Sequence, residues 1–115
     1  MMYNARQGDI IWLNFDPQAG HEQQGRRPAI VVSNNRFNML QKKTAMVCPI
    51  TNTNKGIPVH LKLDERTKTS GIILCDQAKI LDLYDRNAEF IEQAPAEIVS
   101  ETVDIISGFI EVEAE

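Results

Sequence analysis

Apolar and polar residues alternate, or apolar residues form short runs, over most of residues 8–93, and this pattern predicts β-strands. Residues 8–15 place alternate apolar side chains on one face, and residues 28–33 are almost wholly apolar, which is typical of a central strand. Further strands are predicted over residues 44–51, 57–63, 71–75, 78–83 and, as a short edge strand, 89–93. Residues 34–40 fit one or two helical turns behind an asparagine cap.

The spacing of the apolar residues changes near the C-terminus. Pro95 suits the first turn of a helix, and the following apolar residues recur at helical spacing: Ile98, Val99, Val103, Ile105, Ile106, Phe109 and Ile110. The sequence therefore predicts a mainly β fold of the α+β class, a small SH3-like barrel of antiparallel strands closed by a C-terminal amphipathic helix. At 115 residues without a linker or repeat, we expect a single domain over residues 1–115.

Composition excludes several classes of protein. With 43% apolar and 24% charged residues the chain is an ordinary globular protein. It has no apolar run long enough to span a membrane and no N-terminal signal region, so we expect it in the cytoplasm. Cys48 and Cys75 lie inside apolar runs, where buried, reduced thiols are expected. Since no metal-binding motif, P-loop or dinucleotide-binding glycine pattern is present, we expect no metal and no cofactor.

The net charge of −4 conceals an asymmetry along the chain. Residues 1–79 carry eleven Lys and Arg against six Asp and Glu, whereas residues 80–115 carry one against ten. A basic front and an acidic back disfavour a general nucleic-acid-binding surface but allow a local phosphate-binding site.

The polar connection DPQAGHEQQGRRP over residues 16–28 is the least ordinary segment. It is longer than the roughly two to five residues of most hairpin loops. One interpretation is a solvated hairpin tip. However, Pro28 disfavours helical backbone at Arg27 and holds it extended at the mouth of a strand. There the planar guanidinium is suited to phosphate oxygens.

Other polar residues lie at the ends of predicted strands. Thr51 ends the third strand and Asp76 and Gln77 separate two later ones, although each could serve only in a turn. His60 lies on a half-exposed strand, where a surface position is expected. An arginine, a hydroxyl and carboxylates in one pocket would suit metal-free phosphodiester cleavage, with a base deprotonating a ribose 2′-OH and a cation stabilising the phosphorane. This interpretation requires the side chains of Arg27 and Thr51 to face each other within reach of solvent.

The segment GDIIWLNFDPQAGHEQQGRRPAIVVS over residues 8–33 strongly resembles the opening of the MazF/PemK (Kid) family of toxin endoribonucleases. VCPIT at 47–51, GIILCDQAKILD at 71–82 and the acidic terminal helix extend the resemblance over nearly the whole chain. It implies a homodimer with a CcdB/PemK-like barrel that cleaves single-stranded RNA, chiefly mRNA, at short sequences without a metal. The implied products are a 2′,3′-cyclic phosphate and a 5′-OH, and the implied inhibitor is a cognate antitoxin.

The same resemblance implies roles for single residues. Arg27 and Thr51 match the central catalytic pair of the family, and His21 and Glu22 match residues that act as base or substrate contacts in some members. We also expect an acidic, partly disordered antitoxin segment to cover the pocket at Arg27.

The chain departs from the PemK branch at one position. That branch has an arginine directly before its Cys-Asp-Gln, acting with the aspartate as an acid–base pair, whereas this chain has Leu74 there. Asp76 is therefore expected to hold or read RNA instead. The expected RNA-binding residues are Gln23, Gln24, Arg26, Asn52, Asp76 and Gln77. The alternatives are a CcdB-like toxin that poisons DNA gyrase and a non-catalytic SH3-like binding module.

Overall fold

A computed structural model describes residues 3–16, 25–53 and 58–114. In chain order the elements are β1 (Asp9–Asn14), β2 (Arg26–Val31), α1 (Asn35–Gln41), β3 (Thr44–Thr51), β4 (His60–Lys62), β5 (Ile72–Leu74), a 3-10 turn (Cys75–Gln77), β6 (Lys79–Asp82), β7 (Glu89–Gln93) and α2 (Ala96–Ser107). The predicted bounds of β3 and β7 are confirmed, and the other elements begin or end within three residues of the prediction. Residue 57, the predicted start of β4, lies outside the described residues.

The strands form one antiparallel sheet in the order β4-β5-β3-β2-β1-β7, with β6 also paired to β3. The predicted α+β class is confirmed. Among the described strands the path is open, because β4 and β7 lie at its two ends without pairing with each other. The sheet is thus barrel-like without forming a closed ring.

Each face of the sheet carries its own apolar cluster, because successive side chains of a strand point to opposite faces. The face covered by α2 holds Ile10, Ile30, Cys48, Ile50, Ile73 and Ile98. The opposite face holds Ile11, Leu13, Phe15, Ala29, Val31 and Val47. β2 is buried on both faces over its last three residues, as its apolar run predicted.

Strand β3 changes its partner along one edge. Residues 44–47 pair with β6, and residues 50 and 51 pair with β5. Pro49, which has no N–H to donate, lies in the gap between the two pairings. The four residues of β3 from Val47 to Ile50 are matched by the seven residues from Ile73 to Lys79, so three extra residues are accommodated by the 3-10 turn.

Helix α2 follows Pro95 as predicted but ends earlier than its apolar pattern suggested. After Ser107 the amides of Phe109 and Ile110 bond the carbonyls three residues before them, which is a tighter, 3-10-like end. Gly108, a poor helix former, lies at this point. Phe109 and Ile110, which the apolar spacing assigned to the helix, therefore lie beyond its end, and Ile110 is 77% exposed. Neither helix of the described ranges is long and apolar enough to cross a membrane.

A buried carboxylate joins the start of β1 to the end of β7. Asp9 accepts hydrogen bonds from the Tyr3 hydroxyl, the Arg6 amide and Gln93 Nε2. Burial, followed by the hydrogen bond to Asp9 and its charge, raises the pKa of Tyr3 far above its ordinary value. The pair therefore has an uncharged hydroxyl donating to the carboxylate.

Candidate functional site

A groove of about 430 Å³ lies where β2 and β3 end. Its polar lining comes from Arg26 and Arg27 at the start of β2, Asn52 just after β3, and the loop residues 68–70, which include Lys68. Its apolar lining includes Trp12 of β1 and Ile91 of β7. The structure thus brings three of the expected site residues, Arg26, Arg27 and Asn52, into one groove.

The pairing of β1 with β2 positions the groove side chains. Trp12 lies opposite Pro28, and Leu13 lies opposite Arg27. Because side chains alternate, Trp12 faces away from the cluster that contains Leu13, and 42% of it is exposed. Trp12 was not among the site residues expected from the sequence. The alternation of side chains in β1, which buries Leu13, could have identified Trp12 as an exposed aromatic residue beside the basic loop.

The rim of the groove is basic but not uniformly so. Arg26 donates from Nη2 to Glu89 Oε1 at 2.7 Å and to the Asn87 carbonyl at 2.9 Å. This pair is exposed to solvent, so it contributes little to stability and can exchange for another anion. The half-buried Arg27 is the deeper of the two arginines.

One carboxylate fixes the loop that forms the far wall of the groove. Glu92 of β7 accepts the Lys68 amide at 3.0 Å and both the amide and the hydroxyl of Thr69 at 2.7 Å. Partial burial acts to raise the pKa of Glu92, but these hydrogen bonds outweigh it and lower the pKa below its ordinary value. The ionised carboxylate therefore holds the loop in place.

Thr51 lies beside the groove but is almost closed to solvent. β2 and β3 pair from Val31 with Val47 to Ala29 with Pro49, and a continuation of this register by two residues would set Arg27 opposite Thr51. Thr51 is only 3% exposed, so the expectation that its hydroxyl is open to solvent is wrong. Thr51 is covered because β5, which is distant in sequence, pairs with this end of β3 and places Ile72 opposite Thr51. The hydroxyl oxygen accepts the Thr53 amide at 3.2 Å and so fixes the backbone around Asn52.

His60 and Asp76 form a pair on the other side of β5. His60 Nε2 lies 2.8 Å from Asp76 Oδ1. The histidine side chain is 5% exposed and the aspartate side chain 40% exposed. The expectation of a surface histidine is therefore wrong, because His60 lies opposite the fully buried Leu74 and under the 3-10 turn that carries Asp76. Gln77, the last residue of this turn, is half-buried.

The chain matches, over residues 6–108, the family described as PemK-like, MazF-like toxin of type II toxin–antitoxin system. The chain belongs to this family. The endoribonuclease toxin ChpB of Escherichia coli (strain K12) is 36% identical over 112 residues, covering 90% of this chain and 92% of ChpB. The crystal structure of MazF (Form-I) from Deinococcus radiodurans superposes with a TM-score of 0.86 at 38% identity, over 94% of this chain and 97% of that one. The crystal structure of MazE-MazF (Form-II) from the same organism superposes with a TM-score of 0.78 at 31% identity, over 94% of this chain and 96% of that one.

In this PemK-like, MazF-like chain the expected site residues are spread over three places. Arg26, Arg27 and Asn52 line the groove, Thr51 lies buried beside it, and Asp76 with Gln77 lies in the 3-10 turn. The loop residues His21, Glu22, Gln23 and Gln24 lie outside the described residues. In the described ranges no three His, Cys, Asp or Glu side chains are grouped so as to hold a metal ion.

Both cysteines are free and buried, which confirms the expectation from the sequence. Burial raises the pKa of Cys75 to about 11, and that of Cys48 still further above its ordinary value. A thiol kept protonated in this way is a poor nucleophile.

Proposed function

We propose that this chain is the toxin of a type II toxin–antitoxin pair and that it acts as a sequence-specific endoribonuclease on single-stranded RNA. Its membership of the toxin family supports this function, and the observation that carries it is the groove around Arg27. The arginine is held by Pro28 at the mouth of β2, beside an exposed indole and further cations.

The lining of the groove suits unpaired RNA better than a duplex. Trp12 offers a flat apolar surface on which a base can stack, and Arg26, Arg27 and Lys68 supply positive charge for the phosphates. Asn52 is exposed at the end of β3, where its amide can reach a base edge. Base edges are accessible in this way only when the RNA is not paired.

The proposed reaction is attack of a ribose 2′-OH on the adjacent phosphate, giving a 2′,3′-cyclic phosphate and a 5′-OH end without a metal. Arg27 binds the phosphate and stabilises the negative charge of the phosphorane, the role that suits a group which gives up its proton so reluctantly. Glu22 or His21 would take the proton from the 2′-OH as its oxygen bonds the phosphorus, and the bond from phosphorus to the 5′ oxygen would break as a general acid protonates that oxygen.

For Thr51, which the family resemblance matched to the second member of the catalytic pair, we propose a positioning role. Since its hydroxyl is nearly closed to solvent and accepts the Thr53 amide, we propose that it acts chiefly by fixing the strand end that faces Arg27. Thr51→Ser, which keeps the oxygen, should then retain far more activity than Thr51→Val, which removes it.

We further propose that the chain works in the cytoplasm as a homodimer and is inhibited by its cognate antitoxin. An acidic, partly disordered segment of that partner would cover the groove, since the groove is rimmed by cations. Mixing the toxin with the product of the neighbouring gene should stop cleavage; unchanged cleavage would refute this part of the proposal.

The central experiment incubates purified protein with a long single-stranded RNA in EDTA. Discrete fragments are expected, with 5′-OH ends that a polynucleotide kinase can label directly. Arg27→Ala should abolish them while leaving the circular dichroism spectrum unchanged. Arg66→Ala is the matched control, because it removes an equal charge from an exposed arginine paired with Asp64 outside the groove.

Each alternative function predicts another result. A non-catalytic binding module would leave the RNA intact, and a gyrase poison would leave it intact while blocking DNA supercoiling. Intact RNA with the wild-type protein would refute the proposed function.

A further inference from the structure

The pair of His60 and Asp76 is the strongest unexplained feature of the described chain. The side chain of His60 is 95% buried, yet its one side-chain hydrogen bond in the described residues joins Nε2 to an aspartate that is 40% exposed. The buried Nδ1 has no hydrogen-bond partner in the part of the chain that the structure describes. A buried polar atom without a partner is destabilising, so its presence calls for a reason other than stability.

The geometry defines the protonation of the ring in the uncharged state. A neutral imidazole has one N–H, and among the described residues only Nε2 has an acceptor to receive it, the Asp76 carboxylate. The buried His60 ring thus donates a hydrogen bond to one carboxylate oxygen of the exposed Asp76. The hydrogen bond that Asp76 accepts from His60 uses Oδ1, and the aspartate side chain is 40% exposed to solvent.

The pair lies close to the proposed reaction site. β5 pairs with β3 on one side, Ile72 opposite Thr51, and with β4 on the other, Leu74 opposite His60. Ile72 and Leu74 are two residues apart, so Thr51 and His60 flank the same short strand on the same face of the sheet. An RNA strand bound at Arg27 and Thr51 could therefore place a neighbouring nucleotide at Asp76.

We propose that His60 is a positioning residue that fixes the Asp76 carboxylate so that Oδ2 selects a hydrogen-bond donor on one unpaired base beside the cleaved phosphate. This inference rests on the proposed function and deepens it, since it assigns part of the sequence specificity to a pair of residues. A carboxylate accepts only from N–H and O–H groups, so it favours a base that presents a donor at that place.

The test compares His60→Phe, His60→Gln and Asp76→Asn with the wild type. Phenylalanine fills a similar volume without a donor, whereas glutamine keeps an N–H that can reach the carboxylate. Asp64→Asn is the matched control, since it removes another exposed carboxylate that also has a single side-chain partner. Sequencing the 5′ ends of the fragments gives the preference for each base around the cut, and kcat/KM is measured on a short RNA with the preferred sequence.

His60→Phe and Asp76→Asn should each lower kcat/KM by about tenfold, which corresponds to the loss of one charge-assisted hydrogen bond. Both should relax the base preference at the same single position of the motif. The double variant should lose no more than either single one, and His60→Gln should recover most of the preference. A purely structural pair would lower the melting temperature without changing the preference at any position.

Unchanged preference in the folded His60→Phe variant would overturn the inference, as would a relaxed preference at different positions in the two variants. If His60→Phe fails to fold, the surface variant Asp76→Asn and the variant His60→Gln test the inference by the same measurement of base preference. A wild-type protein that does not cut RNA would refute the proposed function instead. The ring nitrogens give a readout independent of activity: Asp76→Asn should shift the His60 ¹⁵N resonances, which are easily assigned because the chain has only two histidines.

Discussion

Gly71 supports the buried end of β3, and its replacement by alanine tests how Thr51 is held. Its φ angle of +128° is one that residues with a side chain rarely adopt. A Cβ atom at position 71 would lie 2.8 Å from the carbonyl oxygen of Thr51 and 3.0 Å from a methyl group of Ile50. Since the first of these atoms belongs to the backbone, the strand end itself would have to move.

The magnitude follows from two contributions. The positive φ angle costs about 1–3 kcal/mol for a residue with a side chain, and overpacking a buried contact costs about 1–3 kcal/mol more. We expect Gly71→Ala to lower the free energy of unfolding by about 3 kcal/mol. For a domain of this size that corresponds to a melting temperature lower by roughly 12 °C, at about 4 °C per kcal/mol.

Gly25→Ala is the matched control. Gly25 also has a positive φ angle, +78°, but a Cβ atom there would meet nothing within 4 Å. Only the backbone cost applies, about 1 kcal/mol once the lower entropy of the unfolded alanine chain is included. Thermal unfolding followed by circular dichroism measures both variants, and equal melting temperatures would refute the claim that contact with Thr51 matters. Gly71→Ala should also cleave RNA poorly at temperatures where it is fully folded.

Three further predictions concern single groups. Glu92→Gln should lower the melting temperature at pH 7, where the ionised carboxylate is the better acceptor. Because the folded pKa of Glu92 is lowered, the difference in melting temperature between wild type and variant should be full above the unfolded pKa and should vanish as the pH falls through the folded pKa. Melting curves between pH 7 and 3 measure this difference. Cys48 and Cys75 should resist a thiol reagent at pH 8 until denaturant is added, and fast labelling of the native protein would contradict their burial. Asp9→Ala should lower the free energy of unfolding, measured in urea, by about 2–4 kcal/mol, because three donors lose their buried acceptor.

The parts of the fold that were predictable from sequence depend on local pattern. The apolar run of β2 identified a central strand because a strand buried on both faces has no polar positions. The cysteines were placed correctly for the same reason. The end of α2 was missed, because Phe109 and Ile110 keep the helical spacing although the chain has already left the helix at Gly108.

The site was predictable only where it depends on neighbours in sequence. Arg27 was identified through Pro28, which acts on the residue directly before it. The burial of Thr51 and of His60 depends on β5, which is distant from Thr51 in the chain, and no local pattern reports such a pairing. Glu92 was likewise missed, because its three donors come from the loop before β5.

The shared edge of β3 also determines where the chain can change its length. Between Ile73 and Lys79 the connection has as many residues as the 3-10 turn needs to bring β6 back to β3 in register. One inserted residue there would shift β6 by one position and exchange its inward and outward side chains. The exposed loop at residues 64–66 has no such restriction. The fold should therefore tolerate grafted peptides or short tags in that loop, whereas an insertion in the 3-10 turn before β6 should disrupt the pairing of β6 with β3.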